Sequence, residues 1–177
     1  NGGTIFLDEI ALLSAPLQAK LLKILEEGAV RRLGSTRSEP LDVWVISATN
    51  ASLEAAIREG RFREDLYHRL AVVTLSLPAL RERGHDVLIL AEHFLTRTCT
   101  EYGLPRLTLA ADARAKLATY AWPGNVRELA NVIERTSLLC EGTVLTAAML
   151  QLADAAPGRA PRAAGPAREP SARRSMA

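Results

Sequence analysis

The chain has 177 residues, of which 48% are hydrophobic and 24% charged, a composition typical of folded globular proteins and unlike that of disordered or fibrous ones. At this length it can form one domain, or one domain with a smaller companion. The net charge is +2, but five arginines and one glutamate from Ala155 onward give that end +4 and leave −2 for the rest, so the body of the chain is not a basic nucleic-acid-binding surface.

Two short apolar runs and one amphipathic segment make up the start of the chain. Residues 4–7 and 43–46 are apolar without alternation, which is typical of strands buried on both faces of a parallel sheet. The segment between them predicts an amphipathic helix with Pro16 in its first turn and Gly28 at its end. Its stripe consists of Leu17, Leu21, Ile24 and Leu25. The order strand, helix, strand predicts an α/β fold, in which chemistry gathers at the carboxyl ends of the strands.

Smaller elements are predicted after the helix. Residues 29–42 are polar and include Gly34 and Pro40, which indicates a hairpin or a mobile loop. We expect short helices around residues 53–58 and 63–70, and a third strand at residues 72–75.

The second half is predicted to be a small helical domain. Its apolar stripes consist of Val87, Leu90, Ala91, Phe94 and Leu95, and of Ala113, Leu117 and Tyr120. A further helix begins near Trp122, with Asn125 as its N-cap and Glu128 as the capping-box partner. Residues 154–177 are rich in Ala, Pro, Arg and Gly without periodicity, and we expect a disordered linker there.

Asp8 and Glu9 follow the first strand, at the edge of the sheet where α/β proteins bind nucleotides. In phosphoryl transfer, one such acid can hold Mg²⁺ and the other can orient or deprotonate the attacking water. The alternative is that both acids only favour the start of the next helix. Asn50 follows the second strand, where its amide can hold a water near a terminal phosphate or serve as an ordinary turn residue.

Three arginines are candidates for binding phosphate. Arg63 and Arg69 lie about 120° apart around an ideal helix, so their spacing indicates no shared target, and salt bridges with Glu64 or Asp65 are the alternative. Arg127 lies in the first turn of its helix, where a cation opposes the helix dipole and therefore suggests an external anion. Simple solvent exposure is the alternative for Arg127.

Other classes of site are not indicated by the sequence. Cys99 and Cys140 lie far apart without a Cys-x-x-Cys pair, so neither a disulfide framework nor a zinc site is predicted. The histidines also lack the spacing of metal ligands. No apolar stretch approaches the ~20 residues of a membrane-spanning helix. We expect a cytoplasmic protein that makes no membrane contact.

Several stretches together resemble the sigma-54-dependent transcription activators, a family of ring-forming AAA+ ATPases. They are similar to the family's Walker B segment, the helix and loop after it, sensor I, and later signatures that end at sensor II. The stretches are residues 2–10, 17–22, 27–28, 32–34, 48–50, 60–70, 77–83 and 122–129. The resemblance covers about residues 1–150.

The resemblance implies a fold, a domain organisation and a nucleotide site. The fold would be α/β, part of an AAA+ P-loop NTPase parallel sheet with helices, followed by a small all-α lid domain. Residues 1–78 would belong to the α/β subdomain, 79–153 to the lid, and 154–177 to the linker. In the site, Asp8 would organise Mg²⁺, Glu9 would activate water, and Thr49 with Asn50 would sense the terminal phosphate of ATP.

The resemblance also implies roles for the arginines and for the whole protein. Arg63 and Arg69 would be arginine fingers that reach into the neighbouring subunit's site, and Arg127 would be the sensor II arginine that binds the nucleotide from the lid. Residues 29–42 would include the second pore-facing loop. Hydrolysis in a hexameric ring would remodel closed complexes of sigma-54 RNA polymerase. DNA would be bound through a helix-turn-helix that these residues do not contain.

The chain departs from the family pattern at several points. It has no G-x-x-x-x-G-K-[ST] P-loop and no sigma-54-contacting loop. We therefore expect an ATPase in the full-length protein but little ATP binding and no activity from these 177 residues alone. Ala71, Ala79 and Trp44 replace the usual Asn, Pro and polar residue, and Trp44 needs cover. Two alternatives stay open, a related DNA-binding regulator that does not act through sigma-54 and a non-catalytic oligomerisation module.

Overall fold

The computed structural model describes residues 2–31, 34 and 37–152. The chain divides into two compact units, one ending at Ser76 and one beginning at Leu77. Each unit has its own hydrophobic core. Among the described residues, no helix is both long and apolar enough to cross a membrane.

The first unit contains two parallel strands, a hairpin and three helices. Its elements are β1 (Gly3–Leu7), a 3₁₀ turn (Ile10–Leu12), α1 (Ala15–Glu27), β2 (Ala29–Arg31), β3 (Ser38–Pro40), β4 (Val43–Ser47), α2 (Leu53–Arg58) and α3 (Glu64–Leu70). β1 and β4 pair in parallel from Gly3 opposite Val43 to Leu7 opposite Ser47. The core consists of Ile10, Leu22, Ala56, Phe62 and Leu66. The sequence-predicted α/β arrangement is confirmed.

The limits of α1 follow from local signals in the sequence. Pro16 lies in its first turn, and Gly28 ends the helix with a left-handed backbone, φ 58°, which glycine adopts without the steric cost of a Cβ. The predicted stripe is partly wrong, because Leu17 is 48% exposed whereas Gln18 and Leu22 are buried. The helix therefore turns a polar residue, Gln18, toward the core.

Two predictions about strands are wrong. β1 and β4 are not buried on both faces, since Phe6, Trp44 and Ile46 are 60%, 80% and 53% exposed. Among the described residues of the first unit, only two strands pair in this sheet and no element covers that face, so Trp44 lacks the cover we expected. Residues 72–75 form no strand and are largely exposed, because no described strand lies beside them to pair with their backbone groups.

The polar loop after α1 forms the predicted hairpin. β2 and β3 pair antiparallel, with Val30 opposite Glu39. Four residues of its tip lie outside the described residues, as does the linker predicted at 154–177.

The second unit, as far as the structure describes it (residues 77–152), is helical apart from one short strand pair. After a 3₁₀ turn (Leu80–Glu82) its elements are α4 (Asp86–Glu101), β5 (Thr108–Leu109), α5 (Ala111–Thr119), α6 (Asn125–Leu138) and β6 (Val144–Leu145). The helices pack around a core that includes Val87, Ala91, Leu117, Trp122, Leu129 and Ile133. The predicted helical domain is confirmed, with the parallel pair β5–β6 as an addition.

The start of α6 differs from the prediction by one residue. Gly124 is the N-cap, and its backbone N–H donates to Glu128 Oε2 at 2.8 Å. Asn125 is the first helical residue, and its side-chain oxygen instead accepts the backbone N–H of Leu80 at 2.9 Å. The capping box predicted between Asn125 and Glu128 is therefore wrong: Glu128 binds the backbone of Gly124 instead, and Asn125 links the helix to the 3₁₀ turn at the start of the unit.

Candidate active site

The parallel pairing of β1 and β4 brings the predicted acids beside the predicted amide. Asp8 and Glu9 follow β1, and Thr49 and Asn50 follow β4. The backbone ladder extends past the last strand pair, because the Ala48 N–H donates to the Leu7 carbonyl at 2.9 Å and the Ile10 N–H to the Ala48 carbonyl at 3.0 Å. The two polar segments therefore leave the same edge of the sheet together.

Glu9 and Asn50 contact each other directly. The Asn50 Nδ2 group donates to Glu9 Oε1 at 3.0 Å. The Glu9 backbone is left-handed, with φ 52° and ψ 46°, a conformation that costs a residue with a Cβ roughly 1–2 kcal/mol. Its N–H donates to Asp8 Oδ1 at 3.0 Å. The turn thus places one exposed and one half-buried carboxylate beside a primary amide.

Thr49 is engaged locally. Its hydroxyl oxygen accepts the Ala51 backbone N–H at 3.1 Å, a short turn of the kind that serine and threonine form. One residue later Ser52 caps α2 by accepting the Ala55 N–H at 3.2 Å. The Thr49 hydroxyl keeps its own hydrogen to donate.

The two candidate finger arginines are exposed, and each has a partner in its own chain. The Arg63 guanidinium donates through Nε and Nη2 to the two Asp65 carboxylate oxygens, at 2.9 and 2.5 Å. This hydrogen-bonded pair raises the pKa of Arg63 and lowers the pKa of the Asp65 carboxyl. Arg69 Nη2 donates to the Leu25 backbone carbonyl at 2.9 Å. The salt-bridge alternative is therefore correct for Arg63 within the chain, and Arg69 binds no carboxylate among the described residues.

Arg127 lies in the other compact unit, in the first turn of α6. Its side chain is exposed and makes no hydrogen bond or ion pair with any described residue. Its neighbours Gly124 and Glu128 already satisfy one of the free N–H groups at this helix end. The guanidinium is thus a cation without a counter-ion in the described part of the chain.

Gln18 was missed as a functional candidate. It is fully buried and hydrogen-bonds to the backbone of Leu13, Arg61 and Arg63. The signal in the sequence is its spacing, because Gln18 precedes the apolar residues Leu22 and Leu25 by four and seven positions and so shares their helix face.

Asp8 and Glu9 could bind a magnesium ion only in a coordination shell that uses few protein ligands. Within the described residues no group of three or more His, Cys, Asp or Glu side chains could hold a metal. Asp8 is exposed, and its Oδ2 has no partner among the same residues. Mg²⁺ is commonly bound by one or two carboxylates together with substrate phosphates and water, and Asp8 satisfies that requirement.

Comparison with protein families assigns a known domain to each of the two units. The model described as "Sigma-54 interaction domain" matches residues 1–76, and the one described as "AAA+ ATPase lid domain" matches residues 81–164. The chain belongs to the sigma-54-dependent activator family. The two matched stretches correspond closely to the two compact units of the structure.

Individual relatives agree with this assignment. The chain is 54% identical over 145 residues to the sigma54-dependent transcriptional activator SfnR of Pseudomonas putida, covering 81% of this chain and 40% of that protein. It is 49% identical to the anaerobic nitric oxide reductase transcription regulator NorR of Klebsiella pneumoniae, covering 89% and 32%. The chain therefore spans less than half the length of these activators.

Solved structures show the same fold. NtrX from Brucella abortus in complex with ADP matches with a TM-score of 0.77 and 39% identity, over 81% of this chain and 34% of that one. The structure of the same protein with ATP matches with a TM-score of 0.76. The similarity confirms the AAA+ fold class for this member of the sigma-54 activator family.

Proposed function

We propose that this chain supplies the acidic, sensing and finger residues of an ATPase whose hydrolysis remodels closed complexes of sigma-54 RNA polymerase. The supporting observation is the hydrogen bond from Asn50 to Glu9 at the carboxyl ends of neighbouring parallel strands. Nucleotides bind at such edges in α/β proteins. A P-loop, which this sequence lacks, would complete the site from elsewhere in the full-length protein.

Asp8 and Glu9 have different roles in this proposal. Asp8 would hold Mg²⁺, which when bound neutralises charge on the phosphate oxygens. Glu9 would orient or deprotonate the attacking water through the carboxylate oxygen that Asn50 does not occupy. The chemistry is thereby divided between two neighbouring carboxylates.

Thr49 and Asn50 would sense the terminal phosphate. Only one Asn50 N–H is used by Glu9, so its second N–H and its carbonyl oxygen remain for a phosphate and a water. The Thr49 hydroxyl hydrogen is likewise available to a phosphate oxygen. Loss of the terminal phosphate would therefore be transmitted to Glu9 through the Asn50 side chain.

Arg63 and Arg69 would act in the site of a neighbouring subunit. Both side chains are exposed. The Arg63–Asp65 ion pair lies at the surface, where water weakens it, and Arg69 is held only by one hydrogen bond to the Leu25 carbonyl. A guanidinium brought to the phosphates stabilises the charge of the transition state. The proposal therefore requires a ring, for which the family suggests a hexamer.

Arg127 would bind the nucleotide from the lid. We assign residues 1–78 to the α/β subdomain and 79–153 to the lid that carries this sensor II arginine. An exposed guanidinium without a local counter-ion, at a helix end that already favours anions, suits a phosphate oxygen.

The remaining partners belong to the full-length protein. We propose that it contacts sigma-54 RNA polymerase through a loop outside these residues, binds DNA through a helix-turn-helix beyond them, and acts in the bacterial cytoplasm. The geometry of this chain supports the proposal for the hydrolytic site, whereas the sigma-54 and DNA contacts are proposed from the family alone.

Mixing two inactive variants of the full-length protein tests the shared site. Glu9→Gln removes the base and should lower ATP turnover on the order of 10²–10⁴-fold, and Arg63→Ala should lower it on the order of 10³–10⁵-fold. In rings that contain both variants, an acid from one protein can meet an arginine from the other, so turnover should partly recover. Each variant mixed with wild-type subunits serves as the control for assembly.

Other results would contradict the proposal at defined points. Unchanged turnover in Arg63→Ala would show that this arginine is not a finger. Normal turnover in Glu9→Gln would remove Glu9 from the chemistry. ATP hydrolysis that fails to open sigma-54 promoters would favour a regulator that does not act through sigma-54.

A further inference from the structure

One buried amide in the first unit binds three backbone groups from two segments that lie far apart in sequence. Gln18 has none of its surface exposed. Its Nε2 donates to the carbonyls of Leu13, at 2.8 Å, and Arg61, at 2.9 Å. Its Oε1 accepts the backbone N–H of Arg63 at 2.9 Å. Both donors and the acceptor are thus used, as a buried amide requires.

Two of these bonds fix the backbone on either side of Phe62. The Arg61 carbonyl and the Arg63 N–H flank Phe62 and pair with the same side-chain amide, as they would pair with a neighbouring strand. Phe62 itself is 4% exposed and belongs to the core of the first unit. Arg63 follows with an extended backbone, φ −78° and ψ 131°, and immediately precedes α3. The origin of the Arg63 side chain is therefore held firmly while its guanidinium stays at the surface.

The third bond reaches the segment that follows the acids. Leu13 ends the 3₁₀ turn Ile10–Leu12, whose N-cap is Glu9. The Leu13 carbonyl accepts from the same nitrogen that binds the Arg61 carbonyl. A single side chain thus joins the acidic segment of a subunit to the backbone of its arginine.

We propose that Gln18 is the positioning residue for Arg63, holding the backbone from which the guanidinium reaches a neighbouring subunit's nucleotide. This inference rests on the finger role proposed above for Arg63. The Asp65 pair holds only the exposed end of the arginine, and the Arg63 carbonyl is held within α3 by the Tyr67 N–H, so the Gln18 bond is the one that fixes the Arg63 N–H. Placing a charged group within a fraction of an ångström matters because a shift of about 1 Å can cost on the order of 100-fold in rate.

The test replaces the amide in the full-length protein and measures ATP turnover alone and in mixed rings. Gln18→Met keeps the length of the side chain but removes all three hydrogen bonds, so turnover should fall on the order of 10- to 100-fold. The KM for ATP should change little, because the nucleotide is bound by the other subunit. Mixing with Glu9→Gln subunits, which have an intact Arg63, should restore turnover, whereas mixing with Arg63→Ala subunits should not.

The other mixing results would overturn the proposal. Rescue by Arg63→Ala but not by Glu9→Gln would mean that Gln18 acts on its own subunit's acids through Leu13. Rescue by neither would mean that Gln18 only maintains the fold or the ring. If Glu9→Gln and Arg63→Ala fail to complement each other, the proposed shared site fails independently of Gln18. In that case unchanged hydrogen exchange at the Arg63 amide in Gln18→Met would separately refute the positioning role.

One control variant guards against a folding defect. Leu22→Val reduces packing one turn further along α1, at a side chain that is 9% exposed, without touching the three bonds. If Leu22→Val and Gln18→Met had the same melting temperature and lost turnover equally, the effect would come from helix stability and the positioning role would be rejected.

Discussion

The Arg63 guanidinium has two competing partners under the proposed function, the Asp65 carboxylate of its own chain and the phosphates of another subunit's nucleotide. The Asp65 pair is at the surface, with about half of each side chain exposed, so water and salt weaken it. Releasing the arginine therefore costs little compared with the rate factor on the order of 10³–10⁵ attributed to arginine fingers. Asp65 can hold the finger in a free subunit without preventing its use.

Arg127 allows folding and function to be separated at one residue. Because the side chain is exposed and has no partner among the described residues, Arg127→Ala should shift the melting temperature by less than about 3 °C. Turnover, or the coupling of lid and nucleotide, should nevertheless weaken in the full-length protein. Calorimetry beside an ATPase assay checks both.

A large fall in melting temperature would instead make Arg127 structural. Arg135 is the matched control, since it is an exposed arginine in the last turn of the same helix. Arg135→Ala should leave turnover unchanged.

At the scale of elements, local signals were sufficient to predict the helices but not their contacts. Pro16 and Gly28 mark the ends of α1 through their own backbone preferences. The place of Gln18 on the face of Leu22 and Leu25 follows from its spacing, but its hydrogen-bond partners could not be predicted, because two of them lie 43 and 45 positions away. The apolar run at residues 72–75 failed for the converse reason, since strand formation depends on a neighbour that the run itself does not encode.

The site was predictable to a similar extent. A parallel pairing of the two apolar runs was enough to place the acids beside Asn50. The Asp65 partner of Arg63 follows from sequence proximity, whereas the link from Gln18 to Arg63 depends on the packing of α1 against α3. Interactions between distant residues are thus the part that one sequence did not reveal.

The start of α6 gives a prediction at this scale. Asn125 has a left-handed backbone, φ 51°, and its side chain accepts the Leu80 N–H. Asn125→Ala removes that bond and places a residue with a poor left-handed preference there, so the free energy of unfolding should fall by about 2 kcal/mol. Chemical denaturation of the chain measures it.

Asn125→Asp is the matched control. It retains an acceptor oxygen and tolerates a left-handed backbone, so it should lose less than half as much. Equal losses in the two variants would mean that the hydrogen bond to Leu80 contributes nothing.

At the scale of the whole molecule, the buried hydrophobic residues within the described ranges form two clusters, one in each compact unit. The larger one belongs to the helical unit and contains Trp122, which is fully buried, donates from Nε1 to the Leu117 carbonyl at 2.9 Å and packs edge-on against Tyr120. The first unit has the smaller core and the exposed sheet face. Apolar surface of that kind commonly marks an interface.

The separation of the cores leads to a prediction. Trp122→Phe removes a buried hydrogen bond and leaves a small cavity, which should destabilise the helical unit by about 2 kcal/mol. Amide protection in α4 and α6 should fall on the order of 30-fold, while protection in α1 and α3 stays constant. Hydrogen exchange followed by mass spectrometry measures both sets.

A parallel loss of protection in α1 and α3 would show that the two units unfold as one. Trp44→Phe is the control, because Trp44 is 80% exposed and its replacement should change stability by less than about 0.5 kcal/mol.

Because Glu9 has a left-handed backbone, substitutions at this position that raise thermal stability should lower ATP turnover. Glycine and asparagine adopt that conformation more easily than glutamate does. A library screened only for survival at high temperature would accordingly enrich Glu9→Gly and Glu9→Asn, and each would discard the carboxylate proposed to activate water. Thermostabilised versions of this protein should therefore be selected with position 9 held fixed, or with hydrolysis scored in the same screen.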